Sequence, residues 1–341
     1  MKKILVVTDN LRNQINGVVT TFNNLNICAK KDGYNIYYID PSMFWYIDSP
    51  GYPEVKLSFP WNIGKYIKDI NPDHIHIATE GPLGLAARLW CDKHKIKYNT
   101  SYHTKFPEFL KKLYHIPEEI TYSYVRWFHK HSGKVLTTTK TMVDDLKSHG
   151  FNGDIIPWTR GVDRSIFKRN KDKKVSNNDV VLLSVGRISK EKNLDVFCQL
   201  KLPNYTNVSK IVVGDGPYLE ELKKKYPDVW FVGAKTGSEL AKYFAQADVF
   251  VFTSKTDTFG IVIIESLSVG TPVAAFPVPG PIDILEQNIS GHMSENLASS
   301  VEHCLTLDRN IVFENSNKWT WENCWNIFKS NLINKVDSLL S

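Results

Sequence analysis

The sequence predicts an α/β protein built from two open parallel sheets, each covered by helices. Three observations lead to this prediction. Short apolar runs alternate with helical stretches, as they do in crossover units around a parallel sheet. The alternation occurs twice, on either side of a polar segment at residues 168–178. The length of 341 residues also corresponds to two domains of about 150 residues each.

The first half of the chain opens with a strand and returns to strands at intervals that leave room for helices. We predict strands at residues 2–8, 35–40, 74–78, 98–103 and 134–139, and helices at residues 16–31, 82–94 and 117–131. The first of these helices ends at Gly33, a residue type that commonly terminates helices.

The second half repeats the pattern with short apolar runs typical of strands buried on both faces. We predict strands at residues 180–185, 211–213, 230–232, 249–253 and 273–276, and helices at residues 217–226, 236–246 and 259–269. Thr236 and Glu239 have the spacing of a capping box at the start of the middle helix. In open sheets of this kind, ligands bind outside the carboxyl ends of the strands.

Cysteine usage and hydropathy indicate the reducing cytosol. The five cysteines include no Cys-x-x-Cys pair, so the sequence predicts neither a disulfide framework nor a zinc site. The apolar runs are far shorter than the roughly 18 residues that a membrane span needs. The apolar stretch after Met1 is also too short for a signal peptide, and we interpret it as the first strand.

The net charge of +6 is concentrated in residues 88–134, which hold ten Lys or Arg side chains and four acidic ones. Aromatic residues are interleaved with these cations. The segment suits either an anionic membrane surface or a solvated face over an aromatic core, and the charge pattern leaves both open. Nucleic acid is disfavoured because zinc-finger and RNP-like signatures are absent. The candidate membrane or acceptor surface consists of Lys111, Lys112, Arg126 and Trp127.

Two positions in the first half are candidates for ligand contact. Gly17 lies between the first strand and the first helix, where backbone N–H groups can approach a phosphate. A glycine there also serves in an ordinary tight turn, and the Gly-x-Gly-x-x-Gly pattern is missing. His103 ends a predicted strand at the edge where ligands bind, although a lone histidine is more often structural.

The loop after the first strand of the second half contains Arg187 and Lys192, within residues 185–193. A guanidinium fork and a mobile ammonium in a strand-to-helix loop can together bind a diphosphate. Each is equally compatible with an ordinary surface charge, so the interpretation depends on the residues found later in the second half.

Residues 253–275 form the most informative segment. Its helix is predicted to open at Phe259, Gly260 and Ile261, whose free N–H groups can bind phosphate. Asp257 precedes this helix and Glu265 lies just beyond its first turn, and both carboxylates can accept hydrogen bonds from sugar hydroxyls. The alternative is a turn residue at Asp257 and a solvated face at Glu265. The apolar neighbours of Glu265 argue against simple exposure.

Together these segments resemble the retaining glycosyltransferases of family four, which have the GT-B fold. The resemblance is strongest to the bacterial branch that contains mannosyltransferases and diacylglycerol glycosyltransferases, including the sulfoquinovosyl diacylglycerol synthase type. It covers nearly the whole chain. The matching segments are residues 8–10, 15–21, 74–84, 101–109, 159–163, 185–193, 213–217, 253–275 and 279–285.

The resemblance implies two Rossmann-like domains with parallel sheets facing a central cleft. Residues 1–165 would form the acceptor-binding domain and residues 166–318 the nucleotide-sugar-binding domain. Residues 319–341 would supply a C-terminal helix that crosses back to the first domain. The alternative for this tail is an amphipathic segment packed on its own domain, and its closely spaced tryptophans favour docking in either case.

The resemblance also implies roles at the matching positions. Gly17 would pack against the donor diphosphate, which Arg187 and Lys192 would neutralise without a metal or other cofactor. Asp257, where many relatives carry Glu, would hold hydroxyls of the transferred sugar, and Glu265 would hold the nucleotide ribose. The N–H groups of Phe259, Gly260 and Ile261 would assist with the donor, and His103 would contact the sugar near the reacting centre.

The expected activity is transfer of a hexosyl or hexuronosyl unit, with retention, from a UDP-sugar to a membrane lipid. Diacylglycerol is the favoured acceptor. The protein would then be cytoplasmic and peripherally attached to the cytosolic face of the membrane. The first alternative is a GDP-mannose-dependent α-mannosyltransferase that acts on a lipid or saccharide. A binding protein without transfer activity is the second, and the presence of Arg187, Lys192 and Glu265 argues against it.

Overall fold

The computed structural model describes residues 1–14, 16–49, 52–169 and 179–335, without the side chains of residues 52–55, 109 and 112–114. The chain divides into two compact units. Unit 1 contains Met1–Arg160 and Trp321–Ser341, and unit 2 contains Gly161–Thr320. These boundaries lie five and two residues from those expected at 165 and 318. Most of the predicted polar linker, residues 170–178, lies outside the described residues, as does the end of the predicted C-terminal helix.

Unit 1 is organised around a six-stranded parallel sheet with the strand order β2-β1-β5-β6-β7-β8. Its strands are β1 (Lys2–Val7), β2 (Tyr34–Ile39), β5 (His74–Ile77), β6 (Asn99–Tyr102), β7 (Val135–Thr137) and β8 (Ile155–Pro157). Strand β1 is buried from Ile4 to Val7 because both faces of the sheet are covered.

The helices of unit 1 lie between consecutive strands and are joined by the last helix of the chain. They are α1 (Gly17–Lys31), α2 (Ile63–Ile70), α3 (Pro82–Lys93), α4 (Phe106–Tyr114), α5 (Glu118–His129), α6 (Lys140–Ser148) and α14 (Trp321–Ser330). Helix α14 packs beside α1 and adds Trp321, Trp325 and Phe328 to the core formed with β1. Residues near both ends of the sequence therefore share one hydrophobic core in unit 1.

An antiparallel hairpin of β3 (Tyr46–Ser49) and β4 (Tyr52–Ser58) follows the carboxyl end of β2. This hairpin was not predicted from the sequence. Trp45, Phe59 and Trp61 flank the hairpin and contact one another, with ring centroids 4.6 and 6.3 Å apart. Trp45 is 64% exposed and Trp61 is 69% exposed. We call these three residues the aromatic cluster.

Unit 2 repeats the architecture, with a six-stranded parallel sheet of order β11-β10-β9-β12-β13-β14. Its strands are β9 (Asp179–Val185), β10 (Asn207–Val213), β11 (Trp230–Phe231), β12 (Val249–Phe252), β13 (Val273–Ala275) and β14 (Gly291–Met293). Its helices are α7 (Leu194–Gln199), α8 (Leu219–Lys225), α9 (Gly237–Gln246), α10 (Ile261–Ser268), α11 (Pro281–Ile284), α12 (Leu297–Cys304) and α13 (Arg309–Asn315). Hydrophobic clusters cover both faces of the sheet.

The start of β10 and the cap of α9 differ from the sequence-based expectations for unit 2. Strand β10 is longer than predicted because its first residues are only partly buried and lack a continuous apolar run. The predicted capping box is wrong. Thr236 occupies the N-cap position of α9 without a side-chain capping bond, and Glu239 instead pairs with Lys235 at 2.6 Å. A lysine one turn away offers that carboxylate a charged partner.

The five cysteines are buried and are not bonded to one another. Within the described ranges, no helix combines the length and the apolar character needed to cross a bilayer.

Candidate active site

In unit 1, Gly17 is the first residue of α1, directly after the turn that follows β1. The preceding residue, Asn16, caps the helix, because its side-chain oxygen accepts a hydrogen bond from the Val19 N–H at 2.9 Å. Gly17 is exposed. It therefore presents backbone at a helix N-terminus, where the helix dipole favours an anion.

His103 directly follows the carboxyl end of β6, and both of its ring nitrogens have partners. Its Nε2 lies 2.8 Å from Ser101 Oγ, and its Nδ1 lies 2.9 Å from Arg160 Nη2. Phe22 and Trp158 pack around the imidazole, with centroids 6.3 and 5.7 Å away. The ring is thus held in one orientation at the strand edge.

Burial lowers the pKa of His103 well below its usual value, and the nearby Arg160 guanidinium lowers it further. A second histidine, His76, lies on the far side of Ser101, with Nε2 3.0 Å from the hydroxyl oxygen. Burial lowers the pKa of His76 to about 3, with a smaller contribution from Arg160. Both imidazoles are therefore neutral near pH 7.

In unit 2, the loops after β9 and β10 are joined closely through backbone. Gly186 N donates to the Val213 carbonyl at 3.0 Å, and Ile188 N donates to the Asp215 carbonyl at 2.8 Å. A Cβ on Gly214 would lie 1.9 Å from the Gly186 carbonyl oxygen. Only glycine fits this approach, which fixes the loop that contains Arg187 and Lys192.

Lys192 and Asp257 form an ion pair, with Nζ 2.5 Å from Oδ1 and each side chain about one quarter exposed. The hydroxyl of Thr253, at the end of β12, donates to the Lys192 carbonyl at 2.7 Å. The two loops that contain these residues are thereby joined at the carboxyl edge of the sheet. Arg187 is half-buried in the same loop as Lys192.

Helix α10 begins at Ile261, later than Phe259, where the sequence placed its start. Gly260 is the N-cap residue, with φ of +86°, and Phe259 is buried against Trp319. The Phe259 and Asp257 carbonyl oxygens would lie 2.9 and 3.3 Å from a Cβ on Gly280. The turn at Gly280 therefore packs closely against the loop that contains Asp257 and Phe259 and supports it.

Glu265 lies in the second turn of α10 and is half-buried among apolar neighbours. Burial raises the pKa of its carboxyl to about 7. The carboxyl thus titrates near neutral pH, which is typical of functional sites. In this position it can accept a hydrogen bond from a ligand hydroxyl.

Two cations of the candidate membrane or acceptor surface in unit 1 form ion pairs and hydrogen bonds within the protein. Lys111 pairs with Glu118 at 3.1 Å, while Arg126 binds Glu119 and the His149 carbonyl at 3.0 and 2.9 Å. Trp127 is 42% exposed. The side chain of Lys112 is not among those that the structure describes.

Sequence reasoning missed Arg160, which holds His103, and the structural role of Asp9. The Asp9 carboxylate accepts from the Leu83 N–H at 2.8 Å and caps α3, whose N-cap residue Gly81 has no side chain. Both residues lie in segments that carry the family resemblance, which was the signal available. His103, which Arg160 contacts, is 57 residues away in the sequence, and Leu83, which Asp9 contacts, is 74 residues away.

The two parallel-sheet units, with a cation and a carboxylate joined at the carboxyl edge of one of them, have the architecture of the GT-B fold that the sequence predicted. The chain matches the family described as Glycosyltransferase Family 4 over residues 18–166. It matches the family described as Glycosyl transferases group 1 over residues 166–302. The chain belongs to the glycosyltransferases of family four, as its motifs predicted.

Three curated relatives illustrate the range of this family. A GDP-mannose-dependent alpha-mannosyltransferase of Corynebacterium glutamicum is 27% identical, over 94% of this chain and 86% of that protein. Sulfoquinovosyl transferase SQD2 of Arabidopsis thaliana is 29% identical over 78% of this chain, which spans 55% of that protein. An alpha-monoglucosyldiacylglycerol synthase of Streptococcus pneumoniae is 26% identical over 85% of this chain and 74% of that protein.

Solved structures share the fold at low identity. Sucrose-phosphate synthase from Thermosynechococcus elongatus superposes with a TM-score of 0.77 and 17% identity, covering 97% of this chain and 98% of that one. HepE of Anabaena, in complex with UDP and glucose, has a TM-score of 0.71 and 16% identity, covering 97% and 99%. These similarities confirm the predicted two-domain α/β fold.

Proposed function

We propose that this glycosyltransferase moves a hexosyl or hexuronosyl unit from a UDP-sugar to a membrane lipid, with diacylglycerol as the favoured acceptor. The observation that carries the proposal is the Lys192–Asp257 contact of 2.5 Å. In this contact, the Lys192 ammonium, which can bind a diphosphate, lies beside the Asp257 carboxylate, which can accept hydrogen bonds from sugar hydroxyls. The loop that contains Lys192 is fixed by the close packing at Gly214. A nucleoside diphosphate sugar carries both groups.

In the proposed reaction, the bond between the anomeric carbon and the donor phosphate oxygen breaks as a bond to the acceptor oxygen forms on the same face. The leaving phosphate takes the acceptor proton, so the enzyme needs no nucleophile. Lys192 and Arg187 neutralise the charge that grows on this phosphate, with the N–H groups of residues 259–261. Preorganised donors aimed at developing charge give the largest single contribution to catalysis in many enzymes.

The two carboxyl groups hold the rings at either end of the donor. Asp257 accepts hydroxyls of the transferred sugar, and Glu265 accepts those of the ribose. We propose that the two cations also take the place of a bound metal, because a guanidinium and an ammonium suffice to oppose a diphosphate.

The curated relatives support the lipid acceptor and leave a second donor class to consider. The name of the Streptococcus relative points to lipid glycosylation, and that of the Arabidopsis relative to transfer of a sulfoquinovosyl unit. The Corynebacterium relative covers more of this chain and uses GDP-mannose. A GDP-mannose-dependent α-mannosyltransferase acting on a lipid or saccharide is therefore the alternative.

The donor class is tested by thermal unfolding with UDP or GDP. A nucleotide at 100 times its dissociation constant stabilises the folded protein by about 2.7 kcal/mol, so we expect UDP to raise the midpoint and GDP to leave it unchanged. Incubation with several nucleotide sugars and a lipid extract, followed by mass spectrometry, identifies the product. A shift with GDP alone would establish the alternative.

The catalytic assignment is tested in the same assay by Lys192→Ala, for which we expect a 100- to 1,000-fold loss of transfer, of about the size seen for single oxyanion donors. Lys190→Ala is the matched control, since Lys190 is 72% exposed and its Glu221 partner is 3.9 Å away. Its activity should match that of the wild type. Full activity of Lys192→Ala would rule out the assigned role.

We propose that unit 1 binds the membrane that contains the acceptor, chiefly through the aromatic cluster. Tryptophan rings settle at the interface between membrane and water. Helix α2 begins two residues after Trp61 and exposes Lys65 and Lys68, each of which adds about 1 kcal/mol of attraction to an anionic surface. Arg126 contributes less because its guanidinium is already bound to Glu119.

Vesicle flotation tests the membrane proposal. We expect the wild type to float with phosphatidylglycerol vesicles at low salt and to be released as salt screens the charges. Replacing Trp45 and Trp61 with Ser should abolish most of this binding, whereas Trp230→Ser, an equally exposed tryptophan of unit 2, should not. Wild-type flotation of the double variant would exclude the aromatic cluster. An absence of wild-type binding would exclude membrane attachment.

A further inference from the structure

Arg160 is a buried cation whose donors are directed to fixed acceptors. It is 3% exposed. Its Nη1 donates to the Trp158 and Thr159 carbonyls at 2.6 and 2.9 Å, and its Nη2 lies 2.9 Å from His103 Nδ1. The guanidinium also lies 4.4 Å from the centroid of the Trp158 ring. Three hydrogen bonds and a stacked indole leave this side chain little freedom.

The contact with Arg160 decides which nitrogen of His103 carries the proton. A guanidinium has only donors, so Nδ1 must accept. In a neutral imidazole the hydrogen is then on Nε2, where it is donated to Ser101 Oγ at 2.8 Å. The serine oxygen can accept this hydrogen because the single hydrogen of its hydroxyl is donated elsewhere, to the Ala78 carbonyl at 3.4 Å, and His76 Nε2 lies 3.0 Å from the same oxygen.

The surroundings also keep the imidazole neutral. The titratable groups that influence it are Arg160, His76 and His129, and burial acts in the same direction as their charges. The pKa of Arg160 is lowered only to about 10, so its charge persists at neutral pH. His103 therefore faces a permanent cation at one nitrogen.

We infer that Arg160 is a positioning residue that holds His103 as the neutral Nε2–H tautomer, so that the imidazole offers substrate a hydrogen-bond donor and does not act as a base. The inference rests on the proposed function for its catalytic consequence. An oxygen of the transferred sugar shares this hydrogen with Ser101 Oγ. The proton stays on Nε2 throughout, and the departing phosphate remains the base of the reaction.

The tautomer is measured directly by two-dimensional NMR of the full chain with ¹⁵N-labelled histidine, since the two ring nitrogens have different shifts when protonated. His103→Gln identifies the His103 signals. We expect the wild type to show a protonated Nε2 and no titration of His103 between pH 5.5 and 8. A protonated Nδ1, or ionisation of His103 in this range, would overturn the inference whether or not transfer is detected.

Variants then test whether Arg160 causes the effect. Arg160→Met should release the tautomer preference and lower kcat for transfer about 10- to 100-fold with a smaller change in KM for the donor. Arg160→Lys should recover part of kcat because one donor remains. Arg88→Lys is the matched control, another buried arginine of unit 1 that donates to the Phe128 carbonyl. It should leave the His103 signals unchanged.

Two outcomes contradict the causal role of Arg160. One is an unchanged His103 tautomer in a folded Arg160→Met protein. The other is an equal loss of kcat in Arg88→Lys, which would mean that any weakened buried arginine in unit 1 has this effect. If Arg160→Met does not fold, the lysine variant and the wild-type spectrum decide the question.

Discussion

Lys192 and Asp257 neutralise one another, with the ammonium nitrogen 2.5 Å from a carboxylate oxygen. Partial exposure of both groups keeps the strength of this pair moderate. In the proposed reaction, a donor diphosphate draws Lys192 towards itself while Asp257 turns to a sugar hydroxyl.

Glu265 makes the stability of the protein depend on pH. Its pKa of about 7 in the folded protein exceeds the ordinary value of 4.5, so between these values the folded chain binds more protons than the unfolded chain. The free energy of unfolding contributed by this group consequently falls as pH rises from about 4.5 to about 7, and it levels off above that. Glu265→Gln cannot ionise, so its stability relative to the wild type should increase over the same range.

Thermal midpoints of both proteins at pH 5, 6, 7 and 8 provide the measurement. The other titrating groups are common to the two proteins, so their contributions cancel in the difference. Parallel profiles would show that burial does not shift the Glu265 carboxyl.

At the scale of elements, glycine turns place the side chains that surround the site of unit 2. The loop after β9 lies against the loop after β10 with no room for a side chain at Gly214, whose φ is +153°. Gly280 similarly supports the loop that contains Asp257. Polar groups on separate elements reach one another because these backbones approach so closely.

Gly214→Ala should displace the loop that contains Arg187, because the new methyl group would lie 1.9 Å from the Gly186 carbonyl oxygen. A left-handed backbone alone costs an L-residue about 1–2 kcal/mol, and we expect the loss of stability to be larger than this. Nucleotide affinity should fall at least about tenfold, the equivalent of 1.4 kcal/mol. Denaturant unfolding and calorimetric titration measure the two effects.

Gly233→Ala is the control for backbone strain. Gly233 has φ of +77° but no heavy atom within 4 Å of the added methyl. It should lose stability by strain alone and keep its nucleotide affinity. Equal behaviour of the two variants would show that the close approach at Gly214 is unimportant.

At the scale of the whole molecule, the chain returns at its end to the unit where it began. Trp158 Nε1 donates to the Cys324 carbonyl at 3.0 Å, and Trp325 Nε1 donates to Asp32 at 2.7 Å. Phe328 lies between Trp158 and His76, with centroids 5.1 and 5.0 Å away. Helix α14 thus covers the same core that supports His103.

Phe328→Ala should destabilise unit 1 by about 3–5 kcal/mol, the usual cost of removing a buried aromatic ring. Hydrogen exchange followed by mass spectrometry should show weaker protection of the unit 1 strands, with unit 2 unchanged. Phe244→Ala, which removes an equally buried ring from unit 2, should give the reverse pattern. Uniform loss of protection in either variant would mean that the two units unfold as one.

The sequence by itself determined the alternation of strands and helices, the two parallel sheets and the family, because apolar periodicity and motif order are local properties of a chain. Strands with clear apolar runs, such as β12, were predicted to within a residue. The hairpin β3–β4 escaped prediction because three of the four side chains of β3 are exposed or half-buried and follow no simple alternation.

Only the tertiary structure decided which side chains meet. Lys192 and Asp257 are 65 residues apart, and His103 and Arg160 are 57 apart. No periodicity spans such separations. These pairs form because parallel strands bring their carboxyl ends to a single edge of each sheet, and in unit 2 close glycine packing also joins the loops there. The sequence predicted which residue types could bind a ligand. The contacts of each side chain, the tautomer of a histidine and the shift of each pKa depend on the fold.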